Sequence, residues 1–438
     1  MPAARLALFA LMVILSSMLS APQTFAAEES GEYIAIRKQG SSRIALVLDR
    51  AHADGKKEEG WAEGINSVVH DGLDFTGLFS LLSPPLNIRE SSAGKGQALN
   101  FSALNSVGAE IYAGGSVVSN SGNVSFNAVV YETLGAKPIL RKSYTGTPAE
   151  LRAIGHRFCA DLVELLTGKK SLFGSKIVFV SNRTGFKEVY QCDFDGQGVE
   201  QLTSSKTITL TPALSPDGTH LAYTDFSSGR PALYIRNLAS HQSIQAAKSG
   251  VSIDPGWRNN SEVATTLSHD GDQNIYLLNT SGAVLRRLTN TKSIDLSPSF
   301  SPDGGKMAFV SSRNGMPQIF ILNLQSGETR RLTFSGRYNT QPSWSPAGDK
   351  IAYTTWENKG EIDIFTVNAD GSGLKQLTAK SGENEAPSWS PDGGMIVFSS
   401  SRQGRKKLFV MNASGENQRP LLSVDGEQMQ PCWSVFRK

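Results

Sequence analysis

Apolar positions along the chain follow two different rules. Between residues 28 and 171 two stretches carry helical spacing: Trp61, Ile65, Val68, Val69 and Leu73, then Leu151, Ile154, Phe158, Leu162 and Leu165. The second has its start and stop written beside it. Thr147 caps it, Pro148 suits its first turn, Glu150 completes a capping box and Gly168 ends it. Ile44 to Leu48 reads as a strand. Asn120-Ser-Gly-Asn123 stands between Ile111–Val118 and the alternating Val124, Phe126, Ala128 and Val130, which predicts a hairpin. The Ser/Gly-rich stretch Ser91 to Gln97 is expected to be an exposed loop. This half reads as a small α/β domain.

From Ile177 onward the period shortens to that of strands and a repeat takes over. Its anchor reads Pro298-Ser-Phe-Ser-Pro-Asp-Gly304, Pro342-Ser-Trp-Ser-Pro-Ala-Gly348 and Pro387-Ser-Trp-Ser-Pro-Asp-Gly393. Pro212-Ala-Leu-Ser-Pro-Asp-Gly218 is a variant, Pro255-Gly-Trp257 is degenerate, and Pro431-Cys-Trp-Ser434 is truncated. The leading prolines at 212, 255, 298, 342, 387 and 431 give a period of 43 to 45 residues. Each unit reads as four short strands: Pro-x-Trp, an alternating strand such as Ile351-Ala-Tyr-Thr354, a third such as Gln318 to Asn323, and a fourth such as Arg330-Arg-Leu-Thr333. Four strands in such a period describe the blade of a β-propeller. The first unit, Ile177 to Thr203, lacks its Pro-x-Trp strand, and Pro431 to Ser434 supplies one from the far end. Joining them closes a ring of six blades and leaves no sheet edge open. The fold expected is thus an α/β N-terminal domain followed by a six-bladed all-β propeller.

The start of the chain suggests a compartment. Arg5 precedes the apolar run Leu6 to Leu15, and small residues lead to Ala26 and Ala27. That is the pattern of a secretory signal peptide, too short for a spanning helix of about 20 residues. Cleavage is expected after Ala26 or Ala27, the former placing Thr24 and Ala26 at the small-residue positions. The expected division is signal peptide 1–26, α/β domain with its N-terminal arm 27–171, and propeller 175–438, joined at about Leu172–Ser175.

Composition fits that picture. Of 438 residues 42 are glycine and 19 proline, which the blade turns absorb, and only three are cysteine. Lys plus Arg is 43 against Asp plus Glu 40, so no global basic field recruits nucleic acid or an anionic membrane.

Catalytic chemistry is hard to find. No Gly-x-Ser-x-Gly elbow, phosphate-binding loop or His-Glu-x-x-His occurs, and the six histidines never take metal-ligand spacing. No catalytic residue, cofactor or metal is expected. Asp193-Phe-Asp-Gly196 and His269-Asp-Gly-Asp272 invite a calcium reading, but Asp-Gly recurs at equivalent places as turn chemistry. Trp257, Trp344, Trp389 and Trp433 share one slot of the first strand, which reads as packing between blades. By the closure argument Cys432 and Cys192 are separated by a strand, about 9–10 Å apart and beyond disulfide reach. With Cys159 they are expected to be small buried hydrophobes.

A recognition surface is better signalled. The connections after strand two and before Pro-x-Trp open on the same end of a propeller. That end would carry Asn182, Arg183, Arg313, Trp356 and Arg402 together with Val251, Asp254, Leu296, Ser297, Tyr338 and Met429. Arginine, aromatic and aliphatic groups around a channel mouth suit protein recognition. For the arginines, a structural role bonding turn carbonyls competes with exposure.

The order of parts, with Val107-Gly-Ala-Glu110, Gly115-Ser-Val117, Leu166-Thr-Gly168 and Ile177-Val-Phe-Val180, resembles the TolB family of the Tol–Pal system. The resemblance spans nearly the whole chain after the leader. It implies a periplasmic, non-catalytic scaffold for envelope integrity and outer-membrane constriction at division. It implies that the propeller end just described binds the peptidoglycan-associated lipoprotein Pal, a site some colicins exploit. It also implies that Glu32-Tyr-Ile-Ala-Ile36 (Glu32, Tyr33, Ile34, Ala35, Ile36) is an arm that adds as a strand to TolA. Other outer-membrane lipoproteins or porins belong to the same expected partner class, and the protein is expected to be monomeric. The loops 249–254 and 295–297 lack the family's usual polar residues, so the Pal residues are assigned by position. The rival reading is a periplasmic propeller enzyme or carbohydrate-binding lectin with its site in the central channel.

Overall fold

The computed structural model describes residues 43–434 apart from 54, 92–96, 248–249, 270 and 358–360. The expected leader, its cleavage site and the arm residues Glu32 to Ile36 lie outside the described residues.

The N-terminal region is a mixed sheet with two long helices on one face and a short helix against the other. Its strands are β1 (Ile44–Leu48), β2 (His52–Ala53), β3 (Phe79–Leu82), β4 (Arg89–Ser91), β5 (Gln97–Leu99), β6 (Ile111–Asn120), β7 (Asn123–Glu132) and β8 (Lys137–Gly146). The helices are α1 (Lys56–Thr76), α2 (Phe101–Ser106) and α3 (Leu151–Thr167). The sheet runs β3-β1-β6-β7-β8 with β2 beside β6, while β4 and β5 form a separate ribbon. β1 is parallel to both β3 and β6, whereas β6, β7 and β8 are antiparallel neighbours.

Sequence explains most of these elements. Asn120 pairs with Asn123, and Ser121 and Gly122 both take positive φ (49° and 86°), the geometry of a tight hairpin turn. Val124, Phe126, Ala128 and Val130 are buried and meet Ile154, Phe158 and Leu162 of α3 in one core. The Thr147–Glu150 capping box forms as expected. However, residues Pro148–Glu150 make a tighter 3-10 turn before the α-helix begins. Leu165 is only half-buried; Cys159, Val163 and Leu166 complete the buried stripe instead. The expected loop Ser91 to Gln97 is bounded by β4 and β5, and 92–96 lie outside the described residues.

The propeller has six four-stranded sheets. We number its blades from the one that closes the ring. Blade 1 pairs Glu200–Gln201, Glu188–Asp193, Lys176–Ser181 and the distant Gln428–Ser434 in that order. Met429 faces Val180 and Trp433 faces Ile177 across that seam. Innermost strands of blades 2 to 6 are Thr209–Leu214, Val251–Trp257, Asp295–Phe300, Tyr338–Trp344 and Asn384–Trp389.

Tryptophans of the repeat bind blade to blade. Trp257 Nε1 donates to Ala213 O (3.0 Å) and Trp389 Nε1 to Ser343 O (3.1 Å), whereas Trp433 Nε1 donates to Ser175 Oγ (2.8 Å), just ahead of the second strand of its own blade. Trp344 is buried between the apolar residues of blades 4 and 5. Cys432 and Cys192 flank the strand Lys176–Ser181, and all three cysteines are free thiols. Burial pushes each thiol above its ordinary value.

The N-terminal domain docks where third strands turn into fourth strands, on blades 1 and 6. Arg152 of α3 donates to Asp195 (2.6 Å) and Asp193 (3.3 Å), and Lys176 pairs with Asp193. Phe194 between these aspartates meets Phe75, His156 and Phe173 at centroid distances of 5.4, 5.1 and 5.0 Å. Arg419 of blade 6 lies over Phe75 and donates to its carbonyl (2.6 Å). The Asp193-Phe-Asp-Gly196 turn is therefore also a docking clasp, with its carboxylates facing cations of this chain.

Candidate partner-binding face

Blade topology places the connections after second strands and before first strands on the end opposite the docked domain. Beneath this open end several blade junctions hold a buried polar bracket. In blade 4, Thr333 Oγ1 accepts Ile319 N–H (3.0 Å) and donates to Gln318 Oε1 (2.9 Å). Asn339, opening the next blade, donates to the same Gln318 oxygen (2.8 Å). The bracket recurs with Thr378, Asp363 and Asn384, and with Thr203, Glu188 and Thr209. The Leu-Thr ending on the fourth strands of blades 1, 3, 4 and 5 is thus a joint, since these buried polar groups need partners, whereas blade 2 has Ala246-Ala247 and blade 6 Leu421-Leu422 at that place.

The first strands correct one expectation. The segments before Pro-x-Trp are bulged strand, so Val251, Asp254, Leu296, Ser297, Tyr338 and Met429 lie on innermost strands. Each strand slips register at the proline, as between Ile253 and Gly256 or Leu296 and Ser299. The residue before proline takes left-handed φ in all six blades: Thr211, Asp254, Ser297, Gln341, Ala386 and Gln430, at 49° to 54°. Proline has no N–H to give the ladder, and a bulge accommodates that loss.

These six residues and their prolines line a channel of about 340 Å³, and Asp254 and Ser297 face it. Ser297 Oγ donates to Asp254 Oδ2 (2.8 Å). Burial raises the Asp254 carboxyl above its ordinary range, an effect the Ser297 hydroxyl opposes. Gln341 Oε1 accepts from Ala386 N (2.9 Å) and Gln430 Oε1 from Thr211 N (2.9 Å), each tying one blade to the next.

Around the mouth the expected residues divide by exposure. Trp356 is 44% exposed and meets Tyr338 edge-on at 5.8 Å. Arg183 is exposed beside the Tyr190 ring. Val251, Leu296 and Tyr338 are half-buried, and Met429 is buried. Arg313 and Arg402 are anchored by their own blades. Arg313 lies over Phe309 and Phe320, donates to Ser311 Oγ (2.8 Å) and reaches the buried Asp295 at 3.4 Å. Arg402 repeats this over Phe398 and Phe409 with Ser400 and Asn384. Their placement follows from a serine two residues earlier and an aromatic ring on each neighbouring strand.

Sequence reasoning overlooked the apolar part of this end. Phe186, Ile208, Ile294, Met316 and Phe334 are 44–76% exposed there, beside Trp356. The signal existed: in Phe334-Ser-Gly336 and Gly315-Met316 a large apolar group stands in a turn where the repeat is otherwise polar. Scattered exposed apolar residues are ordinary, and these six stand at the end opposite the docked domain. Among the described residues no cluster of side chains could hold a metal, and no helix is long and apolar enough to cross a membrane.

Comparison with known proteins agrees with this architecture. A model of the TolB amino-terminal domain matches residues 32–139, and one of the TolB beta propeller domain matches 163–437. The chain is 60% identical over 303 residues to a protein TolB homolog of Chlorobium luteolum, covering 69% of each chain. It is 39% identical over 285 residues to a Tol-Pal system protein TolB of Desulfosudis oleivorans, covering 64% of this chain and 65% of that one. Among solved structures, TolB from Acinetobacter baumannii superposes with a TM-score of 0.77 at 23% identity, over 90% of this chain and 97% of that one. At that identity the superposition speaks for the fold.

Proposed function

The chain belongs to the TolB family, and from that premise we propose that it is a periplasmic component of a Tol–Pal system. Its role is that of a non-catalytic scaffold, supporting envelope integrity and outer-membrane constriction at division. The open end of the propeller binds the peptidoglycan-associated lipoprotein, and the segment around Glu32, Tyr33, Ile34, Ala35 and Ile36 engages TolA by strand addition.

The observation that carries this reading is the set of exposed apolar side chains at the end away from the docked domain. Large apolar and aromatic anchors within a polar rim are what protein interfaces use. A catalytic or sugar-binding channel finds less support, because Ser297, Gln341 and Gln430 are committed to bonds between or within blades. The test is copurification and titration with the lipoprotein. Tyr338→Ala and Phe334→Ala should each weaken it by roughly tenfold or more, while the fold and the TolA contact stay intact. Removing residues 28–36 should abolish the TolA contact and spare the lipoprotein. Unchanged lipoprotein affinity in both point variants would remove the face assignment, and retention of TolA after the deletion would remove the arm.

A further inference from the structure

The N-terminal sheet has a second face that neither α1 nor α3 covers. The residues that alternate with its core positions, Tyr112, Ser116, Asn127, Val129, Tyr131 and Arg141, turn away from those helices. With Asp49, Arg50 and Arg89 they line a groove of about 640 Å³, within the size range of ligand sites.

The groove is cationic. Among the described residues its single lining carboxylate, Asp49, accepts from both Arg89 (2.6 Å) and the Tyr112 hydroxyl (2.7 Å). Arg50, next to it, is exposed and makes no ion pair or hydrogen bond among the described residues. On the other wall Arg141 lies 5.6 Å from the Tyr131 ring centroid and donates one bond to its hydroxyl (2.7 Å). That contact orients the guanidinium and uses one of its five N–H donors. Between the walls Ser116 and Asn127 offer neutral hydrogen-bonding groups. Gly114 leaves room for the Tyr112 hydroxyl beside Asp49, since a Cβ there would stand 2.6 Å from it.

We propose that this groove binds a short acidic peptide segment of a partner protein, with carboxylates on Arg50 and Arg141 and the backbone over Ser116 and Asn127. Guanidinium groups favour carboxylates through paired, charge-assisted bonds. Two arginines on facing walls with amide and hydroxyl groups between them match an extended chain better than a single ion. The site lies away from the propeller's open end and does not depend on the function proposed above.

The test is fluorescence anisotropy with labelled hexa-aspartate and the full mature chain at low ionic strength. Saturable binding is expected, lost at about 0.3 M salt as exposed charges are screened. Arg50→Gln and Arg141→Gln should each weaken it by about tenfold, with melting temperature unchanged. Arg141→Lys should recover part of the loss, and Arg286→Gln on the rim of blade 3 should change nothing. Equal binding of labelled hexa-glutamine, or wild-type affinity in both groove variants, would overturn the proposal. Equally, if inorganic phosphate occupies the groove as tightly as the peptide does, the site is a simple anion site and the peptide assignment fails.

Discussion

The two ends of the propeller come from one repeat and have opposite characters. At the docked end the turn between first and second strands closes on itself. Gly218 N donates to Ser215 O, Gly304 N to Ser301 O and Gly393 N to Ser390 O, with these glycines at φ of 65° to 72°. The aspartate inside such a turn is bound too: Ser301 Oγ and Gly305 N hold the Asp303 carboxyl below its ordinary range. At the open end the corresponding positions differ from blade to blade, and large apolar groups stand where turns are usually polar. In a repeat protein the positions that recur in every unit mainly build the ring, whereas the departures are free to serve a partner.

The largest test of that contrast is at a recurrent position. Trp389→Ala should cost about 3–5 kcal/mol, the usual effect of emptying a buried aromatic site, read by denaturant unfolding. Affinity for the lipoprotein, scored per folded molecule, should change little. Trp356→Ala at the open end should do the reverse, leaving the melt in place and weakening the partner by about 2 kcal/mol. If the tryptophans exchange roles, the contrast between recurrent and departing positions is lost.

Acidity sharpens the docked end. Burial of His156 against Phe173 and Phe194, with Arg152 nearby, pushes its pKa down to about 4. The unfolded side chain binds a proton near pH 6.5, so between these values the undocked or unfolded state takes up more protons. Stability is therefore full above about pH 6.5 and falls as pH drops toward 4, by on the order of 2 kcal/mol. His156→Phe should flatten that dependence in melts recorded from pH 7 to 4. A smaller effect is expected from Arg152→Ala. Its pairs with Asp193 and Asp195 are partly exposed, so about 1 kcal/mol or less is at stake. Limited proteolysis between Gly168 and Ser175 should show it as faster cutting.

Much of this was legible because it rests on local chemistry. Thr147, Pro148 and Glu150 specify a helix start within four residues, and Asn120 to Asn123 specify a hairpin likewise. The spacing of six prolines even specified closure between chain segments far apart. What the sequence concealed depends on tertiary neighbours. β3 pairs with β1 across the whole of α1, and nothing in Phe79 to Leu82 announces that partner. Asp193 and Asp195 carry turn chemistry, and only the approach of α3 makes them a clasp. Arg313 and Arg402 look like free cations until the rings beneath them are placed.

The seam in blade 1 has a consequence for how the molecule comes into being. Val180 must find Met429 across 248 intervening positions of chain, and such distant pairings form late because the loop they close is costly in entropy. Until Gln428–Ser434 arrives, blade 1 is short of its innermost strand and Trp433 cannot reach Ser175 beside the docked domain. Completion of the ring and tightening of the domain junction therefore belong to one late event. A chain that stops short of this strand should present an open sheet edge for proteases to recognise.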